Sequence, residues 1–345
     1  MSRILRARFV VGMVVVLALS LVVAACGGGG GGSQGGGGGE VSGEIRVEGS
    51  STVEPITTAA AELFREQNPG ARIEVGGAGT SDGFEAFCQG DTQISDASRP
   101  IDVEEEVPVC EENGVEFIEI PVAFDGISVV VNSENDFATD VTAEQLKTLW
   151  EPAAEGEITR WSQVNPEWPD EEISLYGPGT ESGTYEFFNE TIVQNEEETN
   201  RSDVEMSEDD NVLVQGVSGD QNALGYFGFS YYENNQDSLK ALAIDGVEPS
   251  TETIRSGDYL LSRPLFIYVS TKALQNNDAV GPFVDFYLQE QNLDRIVNAA
   301  KYVTLTDSLA QESRAQYEDR TTGTVFTAEG EPKGGDLEAA LQQAQ

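Results

Sequence analysis

The chain has no histidine in 345 residues. Ser-His-Asp and Cys-His catalysis are therefore excluded, as are His-ligated zinc sites. Basic residues are scarce as well: 19 Lys and Arg face 61 Asp and Glu, for a formal net charge of -42. Phosphate-backbone binding relies on clustered Lys and Arg, so a nucleic-acid binder is excluded, and the charge argues against resting on anionic lipid headgroups. Gly-x-Ser-x-Gly is missing around Ser182, and there is no Gly-x-x-x-x-Gly-Lys-Ser/Thr phosphate loop. The acidic runs Glu104-Glu105-Glu106, Glu196-Glu197-Glu198 and Glu208-Asp209-Asp210 lack Asp-x-Asp-x-Asp-Gly spacing and read as solvated faces. No metal and no cofactor are expected.

Cysteine is limited to three residues. Cys26 ends Val23-Ala24-Ala25-Cys26, which follows Arg3, Arg6 and Arg8 and an apolar stretch over residues 9–25. That three-part pattern looks like a bacterial lipoprotein signal: residues 1–25 are removed and Cys26 carries lipid. Residues 26–43 form a tether that is nearly all glycine from 27 to 39. In an exported protein the remaining pair, Cys88 and Cys110, is expected to form a disulfide. Closing a loop of that span is worth about 3 kcal/mol in the chain-entropy model.

What is present in quantity is glycine next to hydroxyl residues. Three clusters each open a predicted helix: Gly49-Ser50-Ser51-Thr52, then residues 77–83 around Thr80, Ser81 and Asp82, then residues 177–184 ending in Ser182-Gly183-Thr184. A helix start leaves backbone N–H groups unpaired and carries partial positive charge. Glycine admits close approach and hydroxyls add donors. One such turn is only a cap; three converging turns can hold a small oxyanion. Strand, turn, helix, strand repeats over residues 44–97 predict an α/β fold with parallel strands. Long β stretches near 120–130 and 262–270 suit a chain that crosses between lobes and returns. The expected boundaries are residues 44–124 and 265–326 for lobe 1, 125–264 for lobe 2, and a loose tail over 327–345. The aromatic run from Tyr226 to Tyr232 and the three tryptophans are read as packing.

Several segments together resemble the phosphate-binding proteins of bacterial phosphate ABC transporters, the PstS family, in pattern nearest the branch that includes the cyanobacterial SphX proteins. They are Gly49-Ser50-Ser51-Thr52-Val53-Glu54-Pro55-Ile56, Ile94-Ser95-Asp96-Ala97-Ser98-Arg99-Pro100, residues 175–184, Ala223-Leu224-Gly225-Tyr226, and Leu261-Ser262-Arg263-Pro264-Leu265. The resemblance implies a two-lobed type II periplasmic-binding-protein fold that closes on inorganic phosphate without chemistry. It also implies a membrane permease and ATPase as partners, and ligands at Ser51, Thr52, Thr80, Ser81, Ser98, Ser182, Gly183 and Thr184. A lipid-anchored monomer on the outer face of the cell membrane is expected.

One departure stands out. Better-known members carry an aspartate directly after Ala-Ser and an arginine four residues before Ser-Gly-Thr. Here Arg99 follows Ala97-Ser98, and Pro178 stands four before Ser182, with Glu181 just ahead of it. Arg99 is therefore expected to bind the anion and to pair with Glu181 when the cleft closes, and Glu181 or Asp82 to accept a phosphate proton. Binding of sulfate, molybdate or phosphonate, or a sensor or adhesin role on the same fold, stays open at this point.

Overall fold

The structure is a computed structural model that describes residues 41–194 and 199–345. The lipoprotein signal with Cys26, the glycine tether up to residue 40 and the Glu196-Glu197-Glu198 run lie outside the described residues.

The chain begins with β1 (Gly43–Gly49), which buries Ile45 and Val47. It is followed by α1 (Glu54–Gln67), with Pro55 in its first turn. Ile56, Ala60 and Phe64 bury one stripe of α1, the spacing that predicted it. Next come β2 (Ala71–Gly76), α2 (Thr80–Gln89), β3 (Ile94–Ala97) and α3 (Glu106–Glu112). The acidic stretch over residues 102–113 reads as helical from its sequence, but α3 starts four residues after Asp102. Asp102 Oδ1 accepts from the N–H groups of Glu104 and Glu105, both at 2.7 Å, and holds that stretch as a turn. Pro108 then falls in the first turn of α3, where a missing N–H loses no intrahelical bond. The Cys88–Cys110 disulfide joins α2 to α3.

β4 (Phe117–Asn132) is buried over its whole length. α4 (Ala143–Trp150) starts in a Thr142/Gln145 capping box. β5 (Ser174–Pro178) and α5 (Gly183–Phe188) follow, and α5 widens into a π-helical turn over Asn189–Val193. Then come β6 (Glu205–Ser207), α6 (Asp210–Gly219), β7 (Ala223–Gly228), β8 (Leu239–Ala241) and β9 (Ser262–Ser270). α7 (Val280–Tyr287), α8 (Asp307–Glu318) and α9 (Leu337–Ala344) complete the elements used below.

Among the described residues one nine-stranded sheet runs β2-β1-β3-β9-β4-β7-β5-β6, with β8 also paired to β4. β1 pairs in parallel with β2 and β3, and β5 with β6 and β7. β4 joins the two halves. Its residues 117–126 run antiparallel to β9, whereas residues 127–131 pair with β7. The aromatic run packs as expected: Tyr226, Phe227 and Phe229 are buried, with Tyr226 stacked on Phe188 and edge-on to Trp150.

The tail is not loose. α9 is capped by Asp336, whose Oδ1 accepts from Ala339 N at 2.8 Å, and it buries Ala340 and Leu341. Ser308 and Glu312 of α8 bond to Glu338 and Gln342. The polar composition of this segment hid a short apolar stripe, Leu337, Ala340 and Leu341, at helical spacing.

β3 carries a buried acid. Asp96 is fully buried; Thr57 donates to its Oδ1 at 2.9 Å, and its Oδ2 has no hydrogen-bond partner among the described residues. Burial pushes its pKa up to about 8, with nearby Glu54 and Glu48 adding to the effect and the Thr57 bond opposing it. Between the ordinary carboxyl value and about 8, the folded state thus holds a proton that the unfolded chain has lost. Stability should fall as pH rises through that window, by up to about 1.4 kcal/mol per unit, and level off above it. Asp96→Asn keeps the acceptor for Thr57. It is expected to flatten this slope in urea melts taken across pH; a slope identical to that of the parent protein would show that Asp96 ionises normally.

Candidate functional site

Parallel β1, β2 and β3 deliver three loops at their carboxyl ends, the usual place for a ligand crevice in such sheets. The loops are stitched to one another. Ser50 N donates to Asp96 O at 2.9 Å and Gly79 N to Gly49 O at 2.9 Å. Gly49 permits this: its φ is +151°, and a Cβ there would stand 2.0 Å from Asp96 O. The Thr80 and Ser98 hydroxyls lie 3.0 Å apart, and Ser98 N donates to Thr80 Oγ1 at 3.2 Å.

From the other half of the sheet, β5 delivers Ser182-Gly183-Thr184. Ser182 caps α5, its Oγ accepting from Thr184 N at 3.2 Å. Gly183 then meets the first turn. A Cβ at Gly183 would stand 2.2 Å from Thr52 Oγ1 and 3.0 Å from Thr52 N. No other residue allows that contact, which is the packing reason for a glycine at a helix start.

Beside these turns lies an open cavity of about 220 Å³. That is below the roughly 300–1,000 Å³ typical of drug-sized ligand pockets and suits a small oxyanion with a few waters. Thr80, Ser81, Asp82, Ser98 and Arg99 form one wall; Glu186, Glu190 and Arg263 form the other. A larger cavity of about 690 Å³ lies between α9 and the crossing strands, floored by Phe124 and Pro264. It is roomier, but it lacks the converging hydroxyls and the paired guanidinium groups, so we place the site at the smaller one.

Arg99 is held rather than loose. Its two terminal nitrogens grip the Glu106 carboxylate at 2.9 and 2.8 Å, and Nη2 also donates to Ser81 Oγ at 3.0 Å. The bond to Glu106 is the main reason its pKa is raised. The expected pairing of Arg99 with Glu181 is not found. Glu181 is exposed and off the cavity wall. The turn over residues 102–105 instead folds Glu106 back onto Arg99, and Glu106 Oε2 also accepts from Asp102 N at 2.8 Å. The terminal N–H groups expected to grip an anion are thus spent on Glu106, on Pro100 O at 3.1 Å and on Ser81 Oγ, so an anion would reach this guanidinium by displacing one of those bonds.

Of the residues expected from sequence, Thr80, Ser81, Asp82, Ser98 and Arg99 line the cavity. Ser51, Thr52, Ser182, Gly183 and Thr184 sit behind the wall. Ser51 Oγ reaches Glu186 Oε2 at 3.5 Å, and Thr52 and Gly183 touch. Sequence reasoning missed Arg263, Glu186 and Glu190. Arg263 lay in plain view within Leu261-Ser262-Arg263-Pro264-Leu265. Glu186 and Glu190 have the four-residue spacing of one helix face, but the apolar stripe of Tyr185, Phe187 and Phe188 dominated the reading.

Residues 35–291 match the sequence profile of the PBP superfamily domain. A Synechocystis SphX protein is 45% identical over 295 residues, covering 84% of this chain and 87% of the relative. The phosphate-binding protein PstS of Staphylococcus haemolyticus is 40% identical, covering 73% of this chain and 78% of its own length. The chain belongs to the PstS and SphX family. A crystal structure of a possible phosphate-binding protein from Planctomyces limnophilus superposes with a TM-score of 0.75 at 39% identity, covering 81% of this chain and 99% of that one. A putative phosphate ABC transporter substrate-binding protein from Clostridium perfringens, solved with bound phosphate, gives 0.53 at 29% identity, covering 76% and 100%. The protein thus has the two-lobed periplasmic-binding-protein fold and is a binding protein of the ABC-transporter type rather than an enzyme. Like its PstS relatives it works outside the cytoplasm, where the Cys88–Cys110 bridge persists.

Gly183→Ala is expected to wedge the first and third turns apart while leaving both cores intact. Small-angle scattering should show a larger radius of gyration with a melting temperature near that of the parent. An unchanged scattering curve would mean the two turns do not meet in solution.

Proposed function

We propose that the protein captures inorganic phosphate between its lobes and hands it to an ABC importer, with no chemistry on the ligand. The observation that carries this reading is one small cavity lined by the hydroxyl-bearing loops 78–82 and 98–99 and by two guanidinium groups, with the 50–52 and 182–184 turns packed against each other beside it. The phosphate-binding relatives and the phosphate-bound Clostridium structure support the choice of anion. The change of pairing partner along β4 between Gly126 and Ile127 supports lobes made of residues 44–124 with 265–326, and of 125–264. Arg99 with the hydroxyls and amides of Thr80, Ser81 and Ser98 contacts the oxyanion. Ser51, Thr52, Ser182, Gly183 and Thr184 supply the supporting turns. Asp82, which lines the cavity, accepts the proton of hydrogen phosphate in preference to Glu181, which does not line it. Lipid on Cys26 and the glycine tether keep a monomer near its permease.

Titration calorimetry of the delipidated protein is expected to give tight binding of phosphate, with arsenate competing and sulfate silent. A sulfate response equal to that of phosphate, or no phosphate response, would overturn the reading. Arg99→Ala removes a charge-assisted donor and should weaken phosphate binding by roughly 10- to 100-fold, as expected for about 1.5–3 kcal/mol. Full affinity in that variant would take Arg99 out of the site.

The net charge of -42 opposes the approach of an anion. Added salt screens distant carboxylates, with a Debye length of about 8 Å at physiological strength, and leaves short contacts in the cleft intact. The association rate by stopped flow is therefore expected to rise with ionic strength. A rate that falls with salt would point to a local positive funnel instead.

A further inference from the structure

Arg263 lies outside the ligand set that the family resemblance implies, yet it lines the cavity and bonds to Thr52 and Gly183 beside it. It sits on β9 directly opposite Asp125 of β4, near the end of the β9 pairing, where β4 changes partner. Its side chain is 11% exposed. Nε faces Asp125 Oδ2 at 3.4 Å, Nη2 donates to Thr52 Oγ1 at 3.0 Å and to Gly183 O at 3.3 Å, and Nη1 is 3.6 Å from Glu190 Oε2. The guanidinium lies over the Phe187 ring, 4.0 Å from its centroid.

These partners fall on both sides of the site. Thr52 follows β1, whereas Gly183, Phe187 and Glu190 follow β5. No other cation among the described residues is recorded bridging the two turns, because Arg99 is bound to Glu106 on its own side. The anchor is fixed as well. Asp125 is 2% exposed; burial raises its pKa, and Arg263 is the leading influence that opposes the rise. The contacts with Thr52 and Gly183 exist only while the turns are together, so they add their free energy to that arrangement alone.

We propose that Arg263 is a closure latch: a positioning residue, seated on the Asp125 anchor at the strand crossing, that ties the 50–52 turn to the 183–190 segment and so sets what fraction of the protein is competent to hold its anion. Apparent affinity scales with that fraction, so the latch acts on anion binding through the loops it joins. Only the affinity arm of the test rests on phosphate as the ligand; the closure arm does not.

Arg263→Lys is the discriminating variant. Lysine keeps a charge for Asp125, but as a point charge it cannot span Thr52 and Gly183 while stacking on Phe187. The melting temperature should stay close to that of the parent. Hydrogen exchange without ligand should speed up about tenfold in peptides covering residues 50–53 and 183–190, and phosphate should dissociate about tenfold faster. Unchanged exchange in those peptides overturns the latch. So does weaker phosphate binding with unchanged exchange, which would make Arg263 a plain ligand. Should the parent protein bind no phosphate, exchange still decides on the latch, and the phosphate reading fails separately. If Arg263→Lys does not fold, the double variant Arg263→Met with Asp125→Asn removes both charges together and must show the same faster exchange.

Discussion

Asp125 and Arg263 face each other across β4 and β9, and both are almost fully buried. Taking both charges out of water costs about as much as their attraction returns, so such a pair adds little to stability by itself. Removing one partner is another matter, because an uncompensated buried charge costs about 3–5 kcal/mol. The pair therefore works as a geometric constraint. It pins the guanidinium plane at the place where β4 leaves one half of the sheet for the other. Thr52, Gly183 and Phe187 then find their places around it.

The same logic governs charge at the site. A chain with three acidic residues for each basic one cannot hold an anion by net field. Its two local cations are already neutralised, Arg99 by Glu106 and Arg263 by Asp125 and Glu190. What remains for a ligand is directional: hydroxyls and first-turn N–H groups fixed by loop-to-loop hydrogen bonds. Preorganised donors of this kind bind without reorganising, and their strength grows as water is excluded. Glycine at 49 and 183 is the condition for it, since each lets one backbone lie against another where a side chain would collide.

How much of this was legible in the sequence follows from the range of the interactions. α1 and β1 were readable because their apolar spacing is local, and the helix start at Ser182 because a cap is a contact over two or three residues. The wall formed by Thr80, Ser81 and Ser98 was readable through glycine and hydroxyl clustering. The partner of Arg99 was not. Glu106 reaches it only because Asp102 turns the chain, and a turn held by one carboxylate leaves no periodic trace. Arg263 is 211 positions from Thr52, so their bond exists only once the sheet is built. α9 was missed for the opposite reason: its signal is local but rests on three apolar positions in an otherwise polar stretch.

The acidic wall also bears on the choice of ligand. Asp82, Glu186 and Glu190 stand around the same cavity as the two arginines. Toward a fully deprotonated oxyanion, each carboxylate oxygen presents acceptor to acceptor, a mismatch that water moderates here because Asp82 and Glu190 are exposed and Glu186 is half-buried. Hydrogen phosphate has a P–OH proton to place there, and the dihydrogen form has two. Under the phosphate reading, the carboxylates that make the site look hostile to anions are what separates a protonated anion from an unprotonated one. A site built from positive charge alone would hold phosphate and sulfate with similar strength, so on that reading the excess of acid at the cavity favours the protonated anion.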